Sequence, residues 1–263
     1  MPSTKNFMLP DLYIRQVVAN KTQKRGLIID PRITLAINTM RPIISVWAGN
    51  QLADFVISGS YAKNTTVMGS TDLDLFISLK SDTTNTLKEI HDLLNKRLMA
   101  RGYITRPQNV SIGITLNNLK IDLVPGVKQS PLTGDHAIYK RKTDSWVKTN
   151  IVKHINLVKN SRRTEEIRAL KIWRELNGLD FSSFYLEMTV IEALRGRIFL
   201  SGLANNIWAV FGYLATKFEN ARIVDPVNTN NIVSDDLTVT EKQAVAQIAR
   251  LSLQQRYWEN IIS

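Results

Sequence analysis

Cysteine is missing altogether from this chain of 263 residues, which excludes disulfides and thiolate metal sites. Nor is there a run of about 18 or more apolar residues, so no transmembrane helix is expected. The opening Met1-Pro2-Ser3-Thr4-Lys5-Asn6-Phe7 lacks the apolar core of a signal peptide. Histidine is scarce: His91, His136 and His154 are scattered and have no partner motif. Repeats and low-complexity segments are absent too. Together these absences favour a cytoplasmic protein without a membrane partner.

What is present is ordinary for a globular protein, 44% hydrophobic and 22% charged. The charge is unbalanced, with 34 Lys and Arg against 23 Asp and Glu, a formal +11. Such an excess suits a polyanionic partner, either nucleic acid or the phosphates of nucleotides. The main basic clusters are Lys21-Thr22-Gln23-Lys24-Arg25, Lys140-Arg141-Lys142 and Lys159-Asn160-Ser161-Arg162-Arg163. None is interleaved with stacking aromatics, and each reads more simply as a solvated face. A nucleic-acid partner is compatible with the composition but not required by it.

Residues 1 to about 50 read as helical, with Asp30-Pro31 starting a helix that Pro42 should kink or interrupt. The period then changes. Phe55-Val56-Ile57-Ser58 is a short strand ending at Gly59, and Leu73 to Leu79 is a second. Asn85 to Ala100 has helical spacing and ends near Gly102 in a C-cap position. Val110 to Leu116 and Leu119 to Val124 are strands joined by Asn117-Asn118, a pair suited to a tight hairpin. From about residue 144 the pattern is helical over 144–159, 163–176, 182–200, 205–219 and 240–262, with an irregular polar loop at Asp225 to Asn231.

The stretch between Gly59 and Asp74 carries the chemistry. A Gly59-Ser60 turn follows an apolar strand, and twelve residues on, Asp72-Leu73-Asp74 opens the next strand. Side chains two apart on a strand face the same side, so Asp72 and Asp74 project together. Asp122, on the hairpin strand Leu119 to Val124, can lie beside them. Clustered carboxylates repel, and without a cation their pKa values rise. Magnesium takes oxygen ligands and keeps substrate phosphates among them. Gly59 lets the backbone approach a phosphate, and Ser60 adds a hydroxyl donor.

This combination resembles the polymerase-beta-type nucleotidyltransferases. It is most similar to the branch with oligoadenylate synthetases, cyclic GMP-AMP synthase and the bacterial cyclic-oligonucleotide synthases of antiphage defence (the CD-NTase family). The resemblance covers roughly residues 45 to 235. It implies that Gly59 and Ser60 grip a triphosphate and that Asp72, Asp74 and Asp122 bind two Mg2+ ions, with Mn2+ as the alternative. Ala169-Leu170-Lys171-Ile172-Trp173 and Phe181-Ser182-Ser183-Phe184-Tyr185-Leu186-Glu187 resemble later family segments. They imply triphosphate contacts from Lys171 and Ser183 and base stacking by Phe184, with Tyr185 as rival. Read from the residues alone, Lys171 could equally be solvated, Ser183 a helix cap and Phe184 core. Asp225 could serve only to order its loop. The family's cysteine-dependent zinc insertion cannot be present here.

The expected fold is α/β. A small mixed sheet forms a nucleotidyltransferase core with N-terminal helices over residues 1–140, and a helical lobe over 141–263 faces it across a nucleotide cleft. The expected activity joins nucleoside triphosphates into a cyclic di- or oligonucleotide second messenger, releasing pyrophosphate, with a separate effector protein answering the product. Two alternatives stay open. One is a nucleotidyltransferase acting on an RNA or protein acceptor, of tRNA-end or toxin type. The other is a non-catalytic nucleotide-binding protein.

Overall fold

The computed structural model describes residues 2–4, 8–22, 30–68, 72–197 and 202–263. Parts of the expectations lie outside these residues: Gly69-Ser70-Thr71, the end of the first basic cluster, and residues 198–200 of the helix expected over 182–200, which already ends at Ala193. Contacts divide the chain into two compact units. One comprises Met1–Lys24, Thr65–Ser70 and Leu157–Ser263; the other comprises Arg25–Asn64 and Thr71–Asn156.

In chain order the described elements begin with α1 (Pro10–Lys21), α2 (Pro31–Ala48), β1 (Leu52–Ile57) and α3 (Gly59–Lys63). There follow β2 (Leu73–Leu79), α4 (Leu87–Ala100), β3 (Arg106–Pro107), β4 (Ile112–Leu116), β5 (Leu119–Lys128), β6 (His136–Lys140) and β7 (Ser145–Thr149). The chain continues with α5 (Ile151–Ser161), α6 (Thr164–Leu176), α7 (Ser183–Ala193), α8 (Leu203–Thr216), β8 (Val224–Asp225), β9 (Asn228–Ile232) and α9 (Val239–Leu253). This is a mixed α/β fold, as the sequence implies.

The sheet unit is ordered β1-β2-β5-β4-β3, with β6 on β5 and β7 on β6. Only β2 and β5 pair in parallel; the other pairs are antiparallel. Local chemistry sets its corners. Asp30 caps α2 through its side chain, 2.9 Å from the Arg32 amide, with Pro31 at the first helical position. The helix runs on through Pro42 to Ala48 rather than ending there. Thr86 and Glu89 form a capping box at α4, and Gly102, at φ +84, closes its far end. Asn117 and Asn118 both take positive φ in the β4–β5 hairpin. Ile33, Met40, Leu73, Leu94 and Ile121 are among the residues of its core.

In the sheet unit two stretches depart from the sequence reading. Residues 145–149, expected as the start of a helix, form β7. Trp146 to Thr149 is rich in strand formers, Asp144 turns the chain at φ +45, and Asn150 takes over as cap by accepting from the Lys153 amide at 3.0 Å. β5 also runs past Val124. Pro125, with no N–H to give, falls where β5 exchanges its partner β4 for β6.

The helical unit is built around Ile14, Trp173, Phe211 and Trp258. Asp11 of α1 accepts from the amides of Leu203 and Ala204 at 3.0 and 2.8 Å, so it supplies the cap that Gly202 cannot. The polar loop expected at 225–231 is instead the β8–β9 hairpin. Asp225 organises its turn by accepting from the Val227 amide at 2.9 Å.

A buried polar pair locks the sheet. His136 Nδ1 donates to the Gly134 carbonyl at 2.9 Å, so its Nε2 accepts the Ser78 hydroxyl at 2.8 Å. Burial holds this imidazole below its ordinary pKa, so the fold prefers it neutral. Its contribution is complete above the unfolded pKa of about 6.5 and is lost as pH falls below that value. Ser78→Ala leaves Nε2 without its donor and is expected to cost about 1–3 kcal/mol by urea denaturation at neutral pH. A midpoint equal to that of the unaltered protein would contradict the pairing.

Candidate active site

Asp72 immediately precedes β2, and Asp74 lies within it, Cα-paired with Asp122 on the parallel strand β5. The register thus brings together Asp74 and Asp122. The Asp122 carboxyl is pushed up to about 6, first by burial and then by the negative charge of Asp72. Arg106, a hydrogen bond from Gln108 and Lys120 pull the other way. Gln108 Nε2 donates to Asp122 Oδ1 at 2.8 Å.

The Gly59-Ser60 turn is pressed against Asp74. Ser58 N–H donates to the Asp74 carbonyl at 2.8 Å, tying the end of β1 to the start of β2. Gly59 has φ +57, and a Cβ there would lie 1.7 Å from Asp74 Oδ2. Both backbone and space therefore demand glycine. Ser60, half-buried, follows in the first turn of α3.

The donor set, carboxylate oxygens with no sulfur or imidazole, fits a hard divalent cation in chemistry. Among the described residues no three acidic or imidazole side chains meet on one metal-sized point. Asp122 is held by Gln108, and the Asp74 carboxylate lies against Gly59.

On the helical unit, Lys171 is 1% exposed, and its Nζ donates to Glu187 Oε1 and to Thr65 Oγ1, both at 2.9 Å. Ser182, not Ser183, caps α7, accepting from the Tyr185 amide at 3.1 Å. Ser183 Oγ instead accepts from Arg174 Nη1 at 3.3 Å. Phe184 is half-buried. Tyr185 is 0% exposed, stacked on Phe218, and offers no face to a base, which removes it as a stacking rival. Sequence reasoning missed Gln108 and Gly113. A glycine inside a strand that faces a candidate acid was the available signal.

A sheet carrying acids at the start of one strand and in register on its parallel neighbour, beside a Gly-Ser turn, defines the nucleotidyltransferase class. Residues 31–161 match the family model of the Second Messenger Oligonucleotide or Dinucleotide Synthetase domain. The chain belongs to this CD-NTase-like family of nucleotidyltransferases. In fold it is similar to the E. coli MS115-1 CdnC:HORMA-deltaN complex structure, at 21% identity and TM-score 0.74 over 92% of this chain and 89% of that one. It is also similar to the Elizabethkingia meningoseptica CdnE cyclic dinucleotide synthase with GTP and Apcpp, at 14% identity and TM-score 0.67 over 94% and 100%. A CCA-adding enzyme of Saccharolobus shibatae is 24% identical over 149 residues, 52% of this chain and 35% of that protein. The chain thus spans about a third of the length of the curated relatives it matches.

Two outcomes follow from the geometry. Because folding raises the Asp122 pKa, its ionised form opposes folding fully above pH of about 6 and not below about 4. Asp122→Asn is therefore expected to raise the thermal midpoint of the metal-free protein at about pH 7.5 and not at about pH 4. An unchanged midpoint at the higher pH would contradict the strain. Gly59→Ala forces both a left-handed alanine, costing about 1–2 kcal/mol, and displacement of the Asp74 carboxylate. It should lower both stability and any activity; full activity would contradict the reading.

Proposed function

We propose that the chain is a Mg2+-dependent synthase that joins nucleoside triphosphates into a cyclic di- or oligonucleotide second messenger, in bacterial antiphage signalling. The observation that carries this reading is the register match of Asp74 with Asp122, with Asp72 one strand position before Leu73 and Gly59 against Asp74.

Asp72, Asp74 and Asp122 would hold two Mg2+ ions, or Mn2+ in their place. When bound, these supply a lowered pKa at an attacking hydroxyl and charge neutralisation on a leaving pyrophosphate. The amides of Gly59 and Ser60 and the Ser60 hydroxyl orient the triphosphate. A ribose hydroxyl oxygen forms a bond to the α-phosphorus while the bond from that phosphorus to the bridging oxygen breaks and pyrophosphate leaves. The hydroxyl proton passes to Asp122, which stands in register with Asp74 on the neighbouring strand. Ser183 and Phe184 are proposed as nucleotide contacts on the helical unit. Lys171 would reach a phosphate only on releasing Glu187 and Thr65.

The CdnE relative is a cyclic dinucleotide synthase, and the family description names oligonucleotide and dinucleotide second messengers. Both support this reading over its rival. Among the described residues no helix is long and apolar enough to cross a membrane, in keeping with a proposed cytoplasmic setting. A second reading, transfer to an RNA end, is favoured by the CCA-adding relative and the +11 charge. A protein acceptor has no such support.

Purified protein incubated with all four ribonucleoside triphosphates and Mg2+ or Mn2+ is expected to yield a phosphatase-resistant cyclic product by mass spectrometry. Label appearing in added RNA instead would favour the second reading. Asp72→Asn and Asp74→Asn should each lower turnover by at least about 10²-fold while preserving the circular dichroism spectrum. Undiminished turnover in either variant would sink the assignment.

A further inference from the structure

β3 is a two-residue edge strand, and its register sets Arg106 opposite Gly113, which on its other side is opposite Asp122. The three positions form one row across β3, β4 and β5, and the middle one has no side chain. A Cβ on Gly113 would stand 2.9 Å from Gln108 Nε2, 3.0 Å from Asp122 Oδ1 and 3.2 Å from Arg106 Nη2. Three polar groups therefore converge over a strip of bare backbone. Arg106 is occupied along β4, donating to Thr115 Oγ1 at 3.1 Å and to the Ile114 carbonyl at 3.4 Å. Gln108 alone reaches across to hydrogen-bond Asp122, at 2.8 Å.

Its own backbone is fixed for that reach. Gln108 N–H donates to the Ser111 carbonyl at 2.8 Å, closing the turn between β3 and β4. The next residue, Asn109, accepts from the Arg141 amide at 2.7 Å through its carbonyl and from the Lys142 amide at 3.0 Å through its side chain. The amide of Gln108 is thus presented from an anchored turn rather than from a free loop.

We propose that Gln108 is a positioning residue for the Asp122 carboxylate, and that Gly113 is the gap through which it acts. By fixing Oδ1, the amide leaves the other oxygen to face the cation and the ribose hydroxyl. A neutral donor orients the carboxylate without cancelling the charge that a divalent cation requires, which a lysine or arginine bonded there would oppose. This inference rests on the ligand role proposed above for Asp122.

The test is Mn2+ binding to the full, nucleotide-free chain, read by electron paramagnetic resonance, for the unaltered protein and for Gln108→Leu, Gly113→Ala and Asp122→Asn. Gln108→Leu and Gly113→Ala are each expected to weaken binding about 10- to 100-fold while the metal-free protein keeps its circular dichroism spectrum. In turnover both should raise the Mg2+ concentration required, with the rate restored at excess Mg2+. Gly113→Ala changes no polar group, so it tests the gap even if Gln108→Leu folds poorly. Weakening by Asp122→Asn with unaltered affinity in the other two overturns this inference alone. Unaltered affinity in Asp122→Asn overturns the ligand role itself.

Discussion

The parallel pairing of β2 with β5 is the constraint on which the rest of the site depends. It holds Asp74 and Asp122 at matched positions on adjacent strands, where two carboxylates would not settle unaided. Hydrophobic neighbours enforce it: Leu73, Leu75, Ile121 and Leu123 are all buried, so neither strand can slip by one residue without turning its apolar set outward. Burial first, and then the charge of Asp72, raise the pKa of Asp122. Sites that oppose stability in this way are where function is concentrated, and a divalent cation is the ligand that turns the repulsion into binding.

Around that pair the sheet unit spends its glycines and amides. Gly59 admits the Asp74 carboxylate, and Gly113 admits the side chain that holds Asp122. The helical unit shows a different economy, satisfying buried charge internally. Thr65, Lys171 and Glu187 form a buried hydrogen-bonded group, and Glu166 accepts from both Arg163 and Asn206. Such groups resist loss of a single partner, because the one left behind is buried and uncompensated.

Much of this was legible in the sequence where local rules decide. The Asp30-Pro31 helix start, the Gly102 terminus and the Asn117-Asn118 turn all act over a few residues, and each appears as read. Illegible features were set by partners distant in sequence. Residues 145–149 carry strand formers beside a helical run, and only pairing with β6 decides for strand. The role of Asp11 depends on α8, some 190 residues on, where Gly202 leaves the helix uncapped. The setting of Lys171 is of the same kind, since no pattern within α6 foretells an ion pair with α7. Gln108 gained its place from a register that no window of sequence contains.

The central claim is that Asp72, Asp74 and Asp122, with the Gly59-Ser60 turn, hold a nucleoside triphosphate and its metal ions. A crystal structure with Mg2+ and a non-hydrolysable triphosphate tests it most directly. The account predicts metal density bridging the three carboxylates and the phosphates, with the triphosphate on the amides of Gly59 and Ser60. A triphosphate bound elsewhere, with Asp74 and Asp122 undisturbed, would contradict it.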